Sequence, residues 1–265
     1  MIHATTTRRQ FLSVAGTTAA GMVGGAKASA SSESSPAQSA IPRWRGFNLV
    51  NFFQAFDPRE RSTGMVDKDD LKWIRDWGFD FIRIPMDYWL WIDSNWRRTK
   101  TLAPDDVYKI NESTLEKVDR AVEMAEKFGL HISLNFHRAP GYCINDSDRE
   151  PFVLWSNPAA EDAFAFHWDL FAKRYRSVPA AAISFNLLNE APRVKEGYMS
   201  AEDYRRVMTR ATDAIRKHTP DRTIIIDGLS VGNEVVDNMI PTGVAQSVHA
   251  YTPAGISHYR AGWVD

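Results

Sequence analysis

The 265-residue sequence has a single cysteine, Cys143, so the chain can close no internal disulfide and must hold its fold by packing. It has almost no net charge, formally -1 at pH 7, and so offers no basic footprint for nucleic acid or for an anionic lipid surface. No glycine-rich phosphate turn follows the first strand-like segment, as a dinucleotide-binding fold needs for close approach to a pyrophosphate. Internal repeats, heptads and low-complexity tracts are missing from the body of the chain. Against these absences stand an ordinary globular balance, 44% apolar and 25% charged, and a wealth of aromatics that includes nine tryptophans.

The N-terminus is read apart from the fold. Thr7-Arg8-Arg9-Gln10-Phe11-Leu12 sets two arginines before an Ala/Gly-rich apolar stretch that runs to about Gly25, and Ala28-Ser29-Ala30 gives a small-x-small cleavage pattern. The apolar stretch is shorter than the roughly 20 residues that span a bilayer. Residues 1–30 therefore read as a twin-arginine export signal, which predicts a periplasmic or extracellular protein with no membrane attachment after cleavage. Residues 31–40, rich in Ser, Ala, Gln and Pro, read as a solvated linker. Residues 41–265 remain for one large α/β domain.

Strands and helices alternate through that body. Strands are expected at 45–50, 79–85, 131–136, 182–190, 223–227 and 246–251. Between them, Asp67 caps a helix that runs through Leu71, Ile74 and Trp77 and stops at Gly78. Ser113 and Glu116 form a capping box for a helix that buries Leu115, Val118, Val122 and Ala125. Asn157-Pro158 opens a third helix, and Ser200 opens a fourth with Tyr204, Val207, Met208, Ala211 and Ile215 facing inward. Strict alternation with buried strands implies a parallel sheet, open and doubly wound or closed as an eightfold barrel. Polar residues at strand ends, namely Asn48, Arg83, His137, Asn189, Glu190, His249 and Tyr251, favour the barrel, where such ends converge on one mouth.

Ala182-Ile183-Ser184-Phe185-Asn186-Leu187-Leu188-Asn189-Glu190 runs a buried strand into an amide beside a carboxylic acid. That pair suits acid catalysis on a sugar, since the acid protonates a leaving oxygen while the amide holds a neighbouring hydroxyl. Trp89, Trp91, Trp155 and Tyr142 lie in loops at the same end, where flat rings would stack on pyranosides, although about half of the loop tryptophans are expected to pack the loops instead. His137, His249 and His258 lack the short spacing of a zinc site, and no metal or organic cofactor is implied. His131, at the opposite end of its strand, and His167, within a helix, are given no role. Arg83 has a plainer alternative as a buried partner of Asp80 or Asp87.

Ile82-Arg83-Ile84-Pro85, Asn135-Phe136-His137, Leu188-Asn189-Glu190-Ala191-Pro192 and His249-Ala250-Tyr251, taken in order, resemble glycoside hydrolase family 5, the barrel clan of many cellulases and mannanases. The resemblance runs from Arg43 to Asp265 and implies a (β/α)8 TIM barrel and a retaining β-glycosidase acting on a polysaccharide or oligosaccharide. It implies Glu190 as acid/base with a raised pKa, Asn189 as donor to the sugar 2-hydroxyl, and Arg83 as the group that keeps the nucleophile ionised. His137 and His249 become polar walls and Tyr251 the phenol that orients the nucleophile.

The chain departs from the pattern in one respect. The mechanism needs a second carboxylate about 5 to 5.5 Å from the acid, which the family carries on its seventh strand. Only six strands are counted here, about six β/α units. Glu196, Glu202 and Glu234 do not match the nucleophile's place, and Trp263 stands too early for the family's eighth-strand tryptophan. The expectations are thus an incomplete barrel, either a gene fragment or a degenerate relative, without turnover as given. A non-catalytic carbohydrate-binding barrel, a β-mannanase-type specificity and an exported cofactor-bearing oxidoreductase remain as alternatives.

Overall fold

The computed structural model describes residues 41–56 and 63–261. The segments expected to be an export signal and a linker, residues 1–30 and 31–40, and Trp263 lie outside the described residues. Seven strands form one sheet: β1 (Gly46–Asn48), β2 (Phe81–Asp87), β3 (His131–Ala139), β4 (Tyr142–Cys143), β5 (Ile183–Asn186), β6 (Ile224–Asp227) and β7 (Ala245–Ser247). Six of them run parallel in the order β1-β2-β3-β5-β6-β7, while β4 folds back antiparallel onto β3. The principal helices are α1 (Lys68–Asp76), the one-turn α2 (Trp96–Thr99), α3 (Glu112–Lys127), α4 (Pro158–Arg174) and α5 (Ala201–Arg216). Sequential parallel strands joined by helices make an incomplete (β/α)8 barrel, and among the described residues β1 and β7 pair only with β2 and β6.

Local chemistry explains most element ends. Asp67 accepts from the Asp69 amide to start α1, Asn157 accepts from Ala159 before Pro158 at the head of α4, and Ser200 with Asp203 closes a full capping box on α5. The cap of α3 differs from expectation. Asn111, not Ser113, accepts from the Thr114 amide, and the Ser113 hydroxyl itself donates to Asn111 Oδ1 at 2.7 Å. Trp77 stands just past the helix it was expected to belong to. It is the C-cap of α1 and 63% exposed, because the chain turns at left-handed Gly78 and swings the ring out against Phe47 and Trp73.

The core lies between the sheet and its helices. Phe136 on β3 stacks on Trp168 of α4 with centroids 4.1 Å apart and is edged by Trp91, Phe164 and Phe171. At the edge of the sheet, Gly46 is required by contact, since a Cβ there would lie 1.5 Å from the Phe81 carbonyl oxygen. Two strands end sooner than the sequence suggests. β5 stops at Asn186 and β7 at Ser247, so Asn189, Glu190, His249 and Tyr251 stand on the loops that leave the sheet. The Leu187 carbonyl there accepts from Trp168 Nε1, and the Asn189 amide reaches across to the Phe136 carbonyl at 2.9 Å.

Candidate functional site

Strand register gathers one polar cluster at the C-terminal end of the sheet. Pairing of Asn48 with Arg83 and of Asp227 with Ser247 brings β1, β2, β6 and β7 to one level. Arg83 spreads its guanidinium over three amides: Nε donates to Asn186 Oδ1 at 2.9 Å, Nη2 to Asn189 Oδ1 at 2.9 Å and Nη1 to Asn48 Oδ1 at 3.4 Å. Its ion partner is Asp227, with Nη2 3.7 Å from Oδ2, and neither Asp80 nor Asp87.

Asp227 is the hub. Its Oδ1 accepts from Asn186 Nδ2, and its Oδ2 accepts from the Glu190 amide and from His249 Nε2, each near 3.0 Å. Burial opposes its ionisation, but the bond from His249 and the charge of Arg83 hold its carboxyl below the usual range. Sequence reasoning missed this residue, as it missed Asn186. The signal was present in Ile224-Ile225-Ile226-Asp227, an apolar strand ending on a carboxylate, the same pattern that drew attention to Glu190.

Glu190 is fixed through its main chain. Its amide donates to Asp227, its carbonyl accepts from the Tyr142 hydroxyl at 2.8 Å, and its φ is +51°, in the left-handed region. Its Oε1 accepts from His249 Nδ1 at 2.9 Å and from the Tyr251 hydroxyl at 2.7 Å. No protein donor meets Oε2 among the described residues. Although burial pushes the carboxyl upward, the bonds from His249 and Tyr251 outweigh it and lower the pKa. The raised value expected from the sequence is corrected here, because the donors to the ionised form are stronger than the desolvation.

His249 bridges both carboxylates. Burial disfavours its charge, yet bonds to Asp227 and Glu190 raise its pKa to about 9, so at neutral pH it is an imidazolium donating from both nitrogens. The Tyr251 phenol is pushed up by burial and by Glu190, and stays protonated. It orients Glu190, where the sequence assigned it to a nucleophile. His137 is buried to 4% exposure with its ring 4.1 Å from Phe53 and no partner on Nδ1. Burial, helped by the nearby charge of Arg83, depresses it to about 3 and keeps it neutral.

The chain matches the Cellulase (glycosyl hydrolase family 5) family over residues 35–264. The chain belongs to glycosyl hydrolase family 5. Its relatives in this family include Cellodextrinase A of Ruminococcus flavefaciens, 26% identical over 226 residues that cover 83% of this chain and 61% of that protein. Endoglucanase C of Acetivibrio thermocellus is 28% identical over 225 residues, covering 82% and 60%. A glycoside hydrolase crystal structure is 36% identical, with a TM-score of 0.74 over 83% of this chain and 63% of that one. The chain thus spans about three fifths of the length of the curated relatives it matches.

The aromatic residues expected to line sugar subsites in this family 5 chain are instead parts of its packing. Trp89, Trp91, Trp155 and Tyr142 are at most 2% exposed. Trp89 Nε1 donates to Glu150, Trp91 Nε1 to His167 Nδ1, and Trp155 lies against Tyr142 and Tyr204. Their rings have no free face to offer a ligand: the loop that follows β2 packs Trp91 onto β3 and α4, and Trp155 is sandwiched between Tyr142 and Tyr204 of α5. Tyr142 contributes through its hydroxyl on Glu190, a positioning contact. His131 and His167 serve structure: the first bonds the Ala181 carbonyl and Ser184, and the second accepts from Trp91 and donates to the Val107 carbonyl. Among the described residues, no three His, Cys, Asp or Glu side chains are grouped to hold a metal ion.

Proposed function

We propose that the site carries the acid/base side of a retaining β-glycosidase acting within a β-linked glucan. The observation behind this reading is the Glu190 carboxylate, locked by its own main chain, with Oε1 held by His249 and Tyr251, Oε2 met by no protein donor among the described residues, and Asn189 next to it in the chain. Arg83 occupies Asn189 Oδ1, so the amide nitrogen is the group left to donate, as a sugar 2-hydroxyl requires. The retaining mechanism needs a second carboxylate, and Asp227 does not fill that role: it is fully buried and both its oxygens are engaged. A carboxylate brought to the Tyr251 side would compete for that hydroxyl and repel Glu190, raising its pKa into the range of a working acid. Glu190 is then the proton donor, Asn189 the 2-hydroxyl ligand, and Arg83, Asp227, His249 and Tyr251 the groups that fix charge and orientation.

The test is reducing-end release from carboxymethyl cellulose, mixed-linkage β-glucan and mannan. The chain alone is compared with the same chain extended by the last two β/α units of a family 5 relative. The extended protein is expected to cut the glucans, and Glu190→Gln to lower the rate by about 10²- to 10⁴-fold, the usual contribution of a general acid. Equal rates in both would remove Glu190 from the chemistry, and preference for mannan would redirect the substrate assignment. The chain alone is expected to show no turnover. The lowered Glu190 pKa favours a second reading, a barrel that binds glycan without cleaving it; binding without release by the extended protein would select it. Export by the twin-arginine route is a further part of the proposal, resting on Arg8 and Arg9; retention in the cytoplasm on replacing both by lysine is the expected outcome of fractionation.

A further inference from the structure

Charge is divided lengthwise along α3. Lys117, Arg120, Met124 and Lys127 follow one another at three- and four-residue steps on one flank, while Glu112, Glu116, Asp119, Glu123 and Glu126 recur at the same steps on the other. The acidic flank is partly spent inside the protein, since Arg174 of α4 pairs with Glu112 at 2.8 Å and with Asp119 at 2.7 Å. The basic flank is not: among the described residues no carboxylate stands within ion-pair distance of Lys117, Arg120 or Lys127.

That basic flank forms one wall of a groove of about 360 Å³, and Gly64, Met65 and Val66, the segment that leads into α1, form the other. Glu123 reaches the rim as the one carboxylate among its lining residues. Gly64 is held at φ +67°, and the Cβ that any other residue would add there meets the Lys117 side-chain stem at 3.3 Å. Without it, the stem lies along the backbone and keeps its ammonium beside the groove. Met65, 63% exposed, and the half-buried Met124 place apolar surface between the cations. The strand between the two helices, β2, is paired with β1 and β3, so the groove does not depend on an edge of the sheet.

We propose that this groove binds a linear polysaccharide bearing carboxylates, a uronic-acid chain, at a place separate from the Glu190 site. Along the helix Lys117 and Lys127 stand roughly 15 Å apart, so the cations meet a row of charges and not a single ion. Arg120 offers the planar fork that takes a carboxylate by two parallel bonds, and the lysines act as point charges on either side. Met65, Val66 and Met124 take the C–H faces of the rings between the carboxylates, surface that a bare polyphosphate does not have. Nucleic acid would need basic surface beyond the groove, and a chain of formal charge -1 supplies little of it. Binding here is independent of the glycosidase reading.

Calorimetric titration of the chain with a short oligogalacturonate tests this, beside polyphosphate of matched charge and neutral cellopentaose. The groove variant is Arg120→Gln/Lys127→Gln; the control, Arg176→Gln/Lys217→Gln, removes the same two kinds of charge elsewhere. All four side chains are exposed and have no ion partner among the described residues, so both variants are expected to melt like the parent. The parent is expected to bind oligogalacturonate more tightly than either other probe, and to bind it less tightly as salt is raised. The groove variant should lose about tenfold in that affinity, the scale of two exposed charge contacts, while the control keeps it. Equal losses in the two variants, or no binding by the parent, would overturn the groove. Polyphosphate or cellopentaose bound as tightly as oligogalacturonate would overturn the choice of a carboxylated glycan.

Discussion

Arg83 and Arg138 stand on neighbouring strands, each with carboxylates close by, yet they build opposite environments. Arg138 contacts Asp87 at 3.3 Å and Glu150 at 2.8 Å and is sealed beneath Trp89. Glu150 there accepts from four donors: Arg138, Trp89 Nε1, the Tyr88 hydroxyl and the Gly141 amide. Each Glu150 oxygen thus meets two donors inside the protein, and the cluster pins the loops after β2 and β3. Around Arg83 the amides are equally well used, but among the described residues no donor meets Glu190 Oε2. The same residue types thus serve architecture where their bonding is saturated from within and chemistry where it is left incomplete.

Removing a partner from the sealed cluster should have the largest effect. Glu150→Ala leaves Arg138 and Asp87 buried with poorer compensation and is expected to cost about 3–5 kcal/mol in a denaturant melt. Glu190→Gln, in the open cluster, should stay within about 1 kcal/mol of the parent. Similar losses in both would erase the distinction.

The two regions should also divide the pH dependence of stability. His249, raised to about 9, contributes stability that is complete below its unfolded value near 6.5 and is lost as pH rises through about 9. His137 and His167 are depressed to about 3 and His131 to about 4, mainly by burial. The unfolded chain takes up those protons first, so stability falls as pH drops below about 6.5. Denaturation midpoints across pH should therefore peak near 6.5, and His249→Gln should flatten only the alkaline limb. A limb unaffected by that change would detach His249 from the two carboxylates.

Smaller effects probe the local reading. Asn111→Ala should cost about 1 kcal/mol by uncapping α3, and Ser113→Ala less than about half of that. The reverse order in thermal melts would restore the capping box. Val231→Gly, by relaxing a residue held at a left-handed φ of 56°, should raise stability by up to about 1 kcal/mol in the same melts.

What could be read from the sequence was whatever short-range chemistry dictates. Asn157-Pro158 and Ser200 announce helix starts because the cap lies within a few residues of what it caps, and the inner face of α5 follows from spacing alone. The segments carrying Arg83, Glu190 and His249 were legible for the same reason, although Glu190 and His249 stand on the loops just past their strands. Asp227 was not singled out, since its importance lies in partners on three other segments, at Arg83, Asn186 to Glu190 and His249. The fate of Trp89, Trp91 and Trp155 depended on which loops fold over them, and the direction of the Glu190 shift on whether His249 or an apolar wall stood closer. Between Asn111 and Ser113 the choice turned on one rotatable hydroxyl.

The left-handed backbone at Glu190 imposes two separate filters on that position. A saturation library would sort its members first by conformation, tolerating glycine, asparagine and aspartate and penalising valine, isoleucine and threonine, and only then by the ability to carry a proton. Folded yield and catalytic yield would accordingly rank the twenty residues differently, and the few that satisfy both define how narrow the evolutionary path through this position is.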